Sequence, residues 1–220
     1  MTKRIFVTAT NTDIGKTYTT KLLLREFAAR GIKVGVIKPI ESGVFGGYAA
    51  DAEELLELIK ELNPKLWHLE AEDIAPLTYE LAASPYVASN NTPLDIKIIE
   101  KKIEELEAFC DLIIIEGAGG LYVPIDDKYM MRDLIQMLNS VALLVTHCSL
   151  GCINDTLLSK RALEAKEIQH VVAFNCKNGD ESFSKISEPY FLKTGFEVLK
   201  VDKDIEKICD VLYNLSDVKR

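Results

Sequence analysis

No apolar stretch in this 220-residue chain approaches the roughly 20 residues that a membrane-spanning helix needs. At the N-terminus, Lys3 and Arg4 precede only Ile5-Phe6-Val7 before Thr and Asn intervene. That run is too short for a secretion signal, and a cytoplasmic protein is expected. No CxxC pair occurs. The five cysteines, Cys110, Cys148, Cys152, Cys176 and Cys209, are odd in number and scattered, which predicts reduced, mostly buried thiols. Cys148 and Cys152 are four apart, a spacing that does not read as part of a zinc set. His68, His147 and His170 stand apart and read as ordinary structural histidines. Basic residues are in deficit, with 26 Lys and Arg against 34 Asp and Glu and a net charge of -8. A general nucleic-acid binder needs clustered Lys and Arg, so that class is excluded. A small anionic ligand in one local basic pocket is not. There is no internal repeat, low-complexity segment or long linker, and residues 1–220 read as a single domain.

What the chain does have is alternation. Hydrophobic residues make up 48% of it, enough for a sizeable core. Strand-like runs fall at Arg4–Thr8, Lys33–Ile37, Leu112–Ile115, Ala142–Thr146, Val171–Phe174 and Glu197–Val201. LIIIE and ALLVT lack any in/out alternation, which predicts strands covered on both faces. Helical patterns fall at Thr17–Ala29, Asp51–Leu62, Asp95–Phe109, Arg132–Leu138, Asn154–Ala165 and Asp204–Leu215. The charge run EKKIEELE over Glu100–Glu107 reads as the solvated face of one of them. Residues 63–93, with Pro64, Pro76, Pro85 and Pro93, read as loops and short helices. The expected architecture is α/β, a mostly parallel sheet with helices on both faces. Ligands bind such sheets beyond the carboxyl ends of the strands. Four polar or Gly-rich segments fall there: Thr8–Lys16, Lys38–Gly47, Glu116–Gly120 and His147–Asn154.

The first of these, in IFVTATNTDIGKTYTTKLL, joins a strand to a helix. Its backbone N–H groups and the helix N-terminus can converge on an anion. Lys16 would reach the outer phosphates of a nucleoside triphosphate, and the Thr17 hydroxyl would serve Mg²⁺. The general pattern begins with Gly, where this chain has Thr10. The placement of Gly15-Lys16-Thr17 after a buried strand and at a helix start therefore carries the assignment. In the second loop, Pro39 biases Lys38 toward extended backbone at the carboxyl edge. A lysine there can stabilise charge on a transferring phosphoryl group. Asp51 opens a helix pattern, as an N-cap or as a metal ligand. Glu116 ends a buried strand, the Walker-B position that partners the phosphate-loop Mg²⁺. Thr17, Asp51 and Glu116 thus form one hard oxygen set.

TNTDIGKT, KPIESG, Asp51, EGAGG and LGCIN occur in this order, and together they resemble the dethiobiotin synthetases. The resemblance covers residues 3 to about 176. It implies a phosphate-loop NTPase fold and an ATP-, CO₂- and Mg²⁺-dependent ligase. In that family 7,8-diaminononanoate takes up CO₂ as a carbamate, ATP phosphorylates the carbamate to a mixed anhydride, and the second amine attacks to close a cyclic urea. By the same resemblance Lys16, Lys38 and Thr12 are catalytic. Asp13, Ile14, Gly15, Lys16, Thr17 and Tyr18 surround the nucleotide, with Asn175 and Cys176 at its purine. Gly117, Ala118 and Gly119 cup substrate and nucleotide, and Ser42 contacts substrate. Gly151, Cys152, Ile153 and Asn154 reach across a homodimer to the substrate's carboxylate tail, a role suited to a helix start. Tyr190 is a further tail contact.

Two positions depart from the family pattern. Ala9 stands where Gly is usual, so the backbone there is expected never to need positive φ. The G-x-[IL]-P stretch near the base is replaced by Phe196–Asp202 without proline, which predicts a firm grip on phosphates and weak selection of adenine. ParA/MinD-like regulatory ATPases carry an extra lysine early in the loop, where this chain has Thr10. Related amidoligases are longer, with a glutaminase domain. A nucleotide-binding module without catalysis is the remaining alternative.

Overall fold

Uninterrupted apolar runs become the buried strands, and amphipathic runs become the helices that cover them. The computed structural model describes residues 2–177 and 182–216. In chain order the strands are β1 Lys3–Ala9, β2 Val34–Ile37, β3 Ile40–Ser42, β4 Leu77–Tyr79, β5 Leu112–Gly120, β6 Val141–His147, β7 His170–Asn175 and β8 Leu199–Lys200. The helices are α1 Lys16–Ala29, α2 Ala50–Leu62, α3 Ala71–Ile74, α4 Pro85–Ala88, α5 Ile96–Glu107, α6 Met131–Met137, α7 Cys152–Glu164, α8 Phe183–Ile186, α9 Glu188–Lys193 and α10 Ile205–Leu215.

The main sheet has six strands in the order β2-β5-β1-β6-β7-β8, and every pairing in it is parallel. Ile5 on β1 sits between Ile114 and Val141. Leu112 to Ile115 are all fully buried, as expected for strands with helices on both faces. α1 packs on α2 and α10, while α5, α6 and α7 contact β5 and β6. Removing this much aliphatic and aromatic surface from water is the dominant stabilising term, at about 25 cal/mol per Å². Because all six strands run the same way, their carboxyl ends lie along one edge, and that edge carries the loops singled out in the sequence.

The structure alters several boundaries, and each change has a local cause. β2 stops at Ile37 because Pro39 cannot continue the ladder; the Lys38 N–H turns away to the carbonyl of Ile74. The chain then forms β3, which pairs in parallel with β4 in a separate two-stranded sheet. Glu116–Gly120, expected as a loop, stays in strand geometry. Val7 pairs with Glu116 but Ala9 with Gly120, so β5 bulges at its glycines. Ala9 lies within β1 and is absent from the positive-φ residues among those described, so Ala is tolerated there; Asp13 (φ 56°) and Gly15 (φ 98°) take the left-handed turns instead. Only Leu199–Lys200 of the expected sixth strand pairs with β7.

The cysteine expectation needs correction. Cys148 and Cys176 form a disulfide with Cα atoms 5.0 Å apart. They lie 28 positions apart in sequence, and strand register brings them together: His147 pairs with Asn175, so the next residues face each other. Cys110, Cys152 and Cys209 are buried and lie outside that disulfide. Burial pushes the Cys110 and Cys209 thiols up to about 12. His147 also does not stand alone. Its ring bridges Ser149 Oγ (2.6 Å) and Asp155 Oδ2 (3.0 Å), pinning the turn ahead of α7.

Candidate active site

The loops after β1 and β2 and the carboxyl end of β5 line one cavity of about 400 Å³. Twelve of the sequence-selected residues line it: Thr12, Asp13, Gly15, Lys16, Thr17, Tyr18, Lys38, Ser42, Asp51, Glu116, Ala118 and Gly119. Gly15 is the N-cap of α1, in left-handed geometry. No side chain caps that helix end, so its first N–H groups are free to meet an anion. A Cβ on Gly15 would lie 2.1 Å from Asn175 Nδ2. Both φ and space therefore require glycine there.

Two lysines face the cavity in opposite electrostatic states. Lys16 is 8% exposed, and its Nζ donates to the carbonyl of Asn11 at 3.3 Å. Burial lowers its pKa, with the field of Glu116 opposing the shift. Burial also penalises the Lys38 ammonium. There, however, Glu116 and Asp51 outweigh it and raise the pKa above the ordinary lysine value. Lys38 Nζ donates to Asp51 Oδ2 and, at 2.9 Å, to Glu116 Oε1.

Glu116 is fully buried. Its Oε1 also accepts from Thr17 Oγ1 at 2.8 Å, while its Oε2 is buried without a hydrogen-bond partner. Such an orphaned oxygen is costly unless a ligand satisfies it. With Thr17 Oγ1 and the Asp51 carboxylate it forms a hard oxygen set that fits Mg²⁺. Among the described residues no cluster of three or more His, Cys, Asp or Glu is arranged for a metal. Phosphate oxygens and water would have to complete the shell, as Mg²⁺ commonly allows.

Asp51 is not the N-cap. α2 begins at Ala50 with Ala49 as its cap residue. The capping is done from outside by Glu41, whose two oxygens accept the N–H groups of Asp51 and Ala52, each at 3.0 Å. Burial raises the Glu41 pKa, and the hydrogen bond from Asp51 opposes this. Glu41 and Lys177 also line the cavity, and neither was singled out in the sequence. A glutamate inside KPIESG gives no signal of capping a helix ten residues on, and Lys177 reaches the loop only through tertiary folding.

Other selected residues lie elsewhere. Ile14 presents its carbonyl to Asn175 rather than lining the cavity. At Gly117 a Cβ would come within 2.6 Å of Phe6, so packing by itself requires glycine there, and Gly117 is not among the residues lining the cavity. Cys176 is tied to Cys148. Gly151, Cys152, Ile153 and Asn154 form the start of α7 and do not line the cavity of their own chain. Cys152 is buried, and Asn154 donates to Asp155. Tyr190 lines a different cavity, with His170 at the amino end of β7. One chain therefore does not bring it to the phosphate loop.

The family described as AAA domain matches residues 3–208. The ATP-dependent dethiobiotin synthetase BioD of Sulfurovum sp. (strain NBC37-1) is 44% identical over 187 residues, covering 85% of this chain and 89% of that protein. The BioD of Wolinella succinogenes is 33% identical over 213 residues, covering 96% and 98%. That of Methanocaldococcus jannaschii is 35% identical over 211 residues, covering 93% and 91%. Among solved structures, a plasmid partition protein from Borrelia burgdorferi superposes with a TM-score of 0.55 at 11% identity, covering 98% of this chain and 96% of that one. The MinC:MinD complex of Aquifex aeolicus gives 0.51 at 16% identity, covering 95% and 85%. These two likenesses are of fold alone.

Proposed function

The chain belongs to the ATP-dependent dethiobiotin synthetase family, and from that membership we propose that its cavity closes the cyclic urea of dethiobiotin from 7,8-diaminononanoate, CO₂ and ATP. The observation that ties this reaction to the cavity is the position of Lys38. Its ammonium is held 2.9 Å from Glu116, in the same cavity as the phosphate loop. The family reaction passes through anions of growing charge, and a fixed, desolvated cation stabilises such charge more than a solvated one. The MinD-type switch is favoured only by fold.

One amine of the substrate carries CO₂ as a carbamate. A carbamate oxygen attacks the γ-phosphorus, ADP leaves, and the mixed anhydride forms. The second amine then attacks the carbonyl carbon and expels phosphate. In this reading Lys16 follows the charge on the γ-phosphoryl group and Lys38 that on the carbamate, with Thr12 beside them. The N–H groups of Gly15 to Thr17 hold the phosphates, Tyr18 flanks them, and Ser42 and Gly119 orient the diamine. Mg²⁺, held by Thr17, Asp51 and Glu116, would supply charge neutralisation on the phosphate oxygens. Its arrival would also give Glu116 Oε2 a partner.

Residues 1–220 act as one domain, supported by a single contiguous core. Among the described residues no helix is long and apolar enough to cross a membrane, and the proposed reaction belongs to the cytoplasm. The working form is a homodimer in which Gly151–Asn154 of one chain meets the substrate tail in its partner. Leu150, 86% exposed, supports this. Purified protein given diaminononanoate, bicarbonate, Mg²⁺ and ATP should yield the cyclic urea, read by mass spectrometry. Phosphate release that ignores the diamine would reject the reading.

A further inference from the structure

The segment leaving the sheet after β7 touches the phosphate loop twice. Asn175, 6% exposed, donates from Nδ2 to the carbonyl of Ile14 at 2.7 Å. Lys177 donates from Nζ to the carbonyl of Asp13 at 2.8 Å. Cys176, between them, is bonded to Cys148 at the end of β6, so the segment has its own anchor. The struts and the loop they touch lie more than 160 positions apart in sequence.

A phosphate loop binds anions when its N–H groups face the cavity and its carbonyls do not. Left-handed backbone at Asp13 and Gly15 makes the intervening peptide planes the ones most in need of a hold. We propose that Asn175 and Lys177 are positioning residues for the phosphate loop. They take up the carbonyls of Asp13 and Ile14 and so fix the two peptide planes that carry the N–H groups of Ile14 and Gly15, at the entry to the triphosphate site. The inference rests on reading the loop as the nucleotide site, and it gives Asn175 a task other than reading the purine. The effect is the same for every base.

Binding of MgATP, MgGTP and magnesium tripolyphosphate, measured by calorimetry, tests it without relying on turnover. Asn175→Ala should weaken all three by about tenfold and Lys177→Met by about fivefold, the worth of one hydrogen bond. Lys177→Arg, which still donates, should restore most of the loss. Amide exchange at Ile14 and Gly15 in the ligand-free variants should quicken. A loss confined to MgATP would make Asn175 a base contact and overturn the proposal. Unchanged exchange in ligand-free Lys177→Met would overturn it for Lys177, an exposed residue. Wild-type protein that binds none of the three ligands would reject both this inference and the nucleotide site. Binding losses as expected in a protein that closes no urea would reject the proposed function and leave this inference standing.

Discussion

The two ends of the active-site edge are built differently. At one end, the loops after β1 and β2 and the carboxyl end of β5 bring Lys16, Lys38 and Glu116 into burial and join Lys38, Thr17, Asp51 and Glu116 by direct hydrogen bonds. At the other, the turn after β6 offers Leu150 at 86% exposure, Tyr18 of α1 is 45% exposed, and β8 is a strand of two residues. Tyr18 donates to Asp202 at 2.6 Å across that exposed side. The difference teaches which part of the reaction one chain sets up by itself. The end proposed for phosphoryl transfer is pre-formed, with Lys38 already paired to Asp51 and Glu116. The parts proposed to meet a purine and an aliphatic tail are more exposed.

The comparison breaks first at Lys38. Lys38→Ala should lower kcat for ring closure by ~10² or more, measured by single-turnover urea formation, and full retained activity would show that the buried end is not the reacting end. Next, Asn154→Ala should raise KM for the diamine about tenfold while leaving that for ATP unchanged. Mixing Asn154→Ala chains with Lys38→Ala chains should recover activity, because one of the two sites in a mixed dimer is then intact. No recovery would place the tail within a single chain. Third, Glu41→Ala should destabilise the fold by ~1 kcal/mol in urea unfolding, the usual cost of losing a helix cap.

The fourth prediction concerns pH. Burial lowers the Lys16 pKa, so its charge is present below that value and lost as pH rises through it. MgATP affinity should therefore decline with rising pH earlier than an ordinary lysine would allow, and Lys16→Arg should remove that decline. The linked stability effect has the opposite sense. Between the lowered pKa and the unfolded value the unfolded chain binds more protons, so stability rises with pH across that window. The smallest effect sharpens the comparison. Replacing ATP by GTP or CTP should change kcat/KM by less than about tenfold; a strong preference for ATP would show the base end to be as well formed as the phosphate end.

Much of the phosphate end was legible because it is written in contiguous runs. A buried strand followed by Thr12–Thr17, by Lys38-Pro39 or by Glu116–Gly120 carries its own position on the edge. What was not legible depends on register and tertiary approach. The Cys148–Cys176 bond follows from the pairing of His147 with Asn175, which spacing in the sequence does not reveal. β3 and β4 are three residues each, too short for periodicity to detect. Gly117 looked like a ligand glycine, yet it is required by Phe6. Asp51 looked like a cap because it opens an amphipathic run, and Glu41 took that task from a neighbouring strand.

Glu41 grips the first turn of α2 with both carboxylate oxygens, and its chain neighbour is Ser42. The segment proposed to meet the diamine and the helix that carries Asp51, the proposed cation ligand, are therefore joined. A substrate that shifts Ser42 also shifts the carboxylate offered to the cation. Linkage then demands reciprocity: whatever factor the diamine adds to cation affinity, the cation returns to diamine affinity. Order of addition would change how quickly the loaded state forms, but not the coupling free energy that joins its two halves.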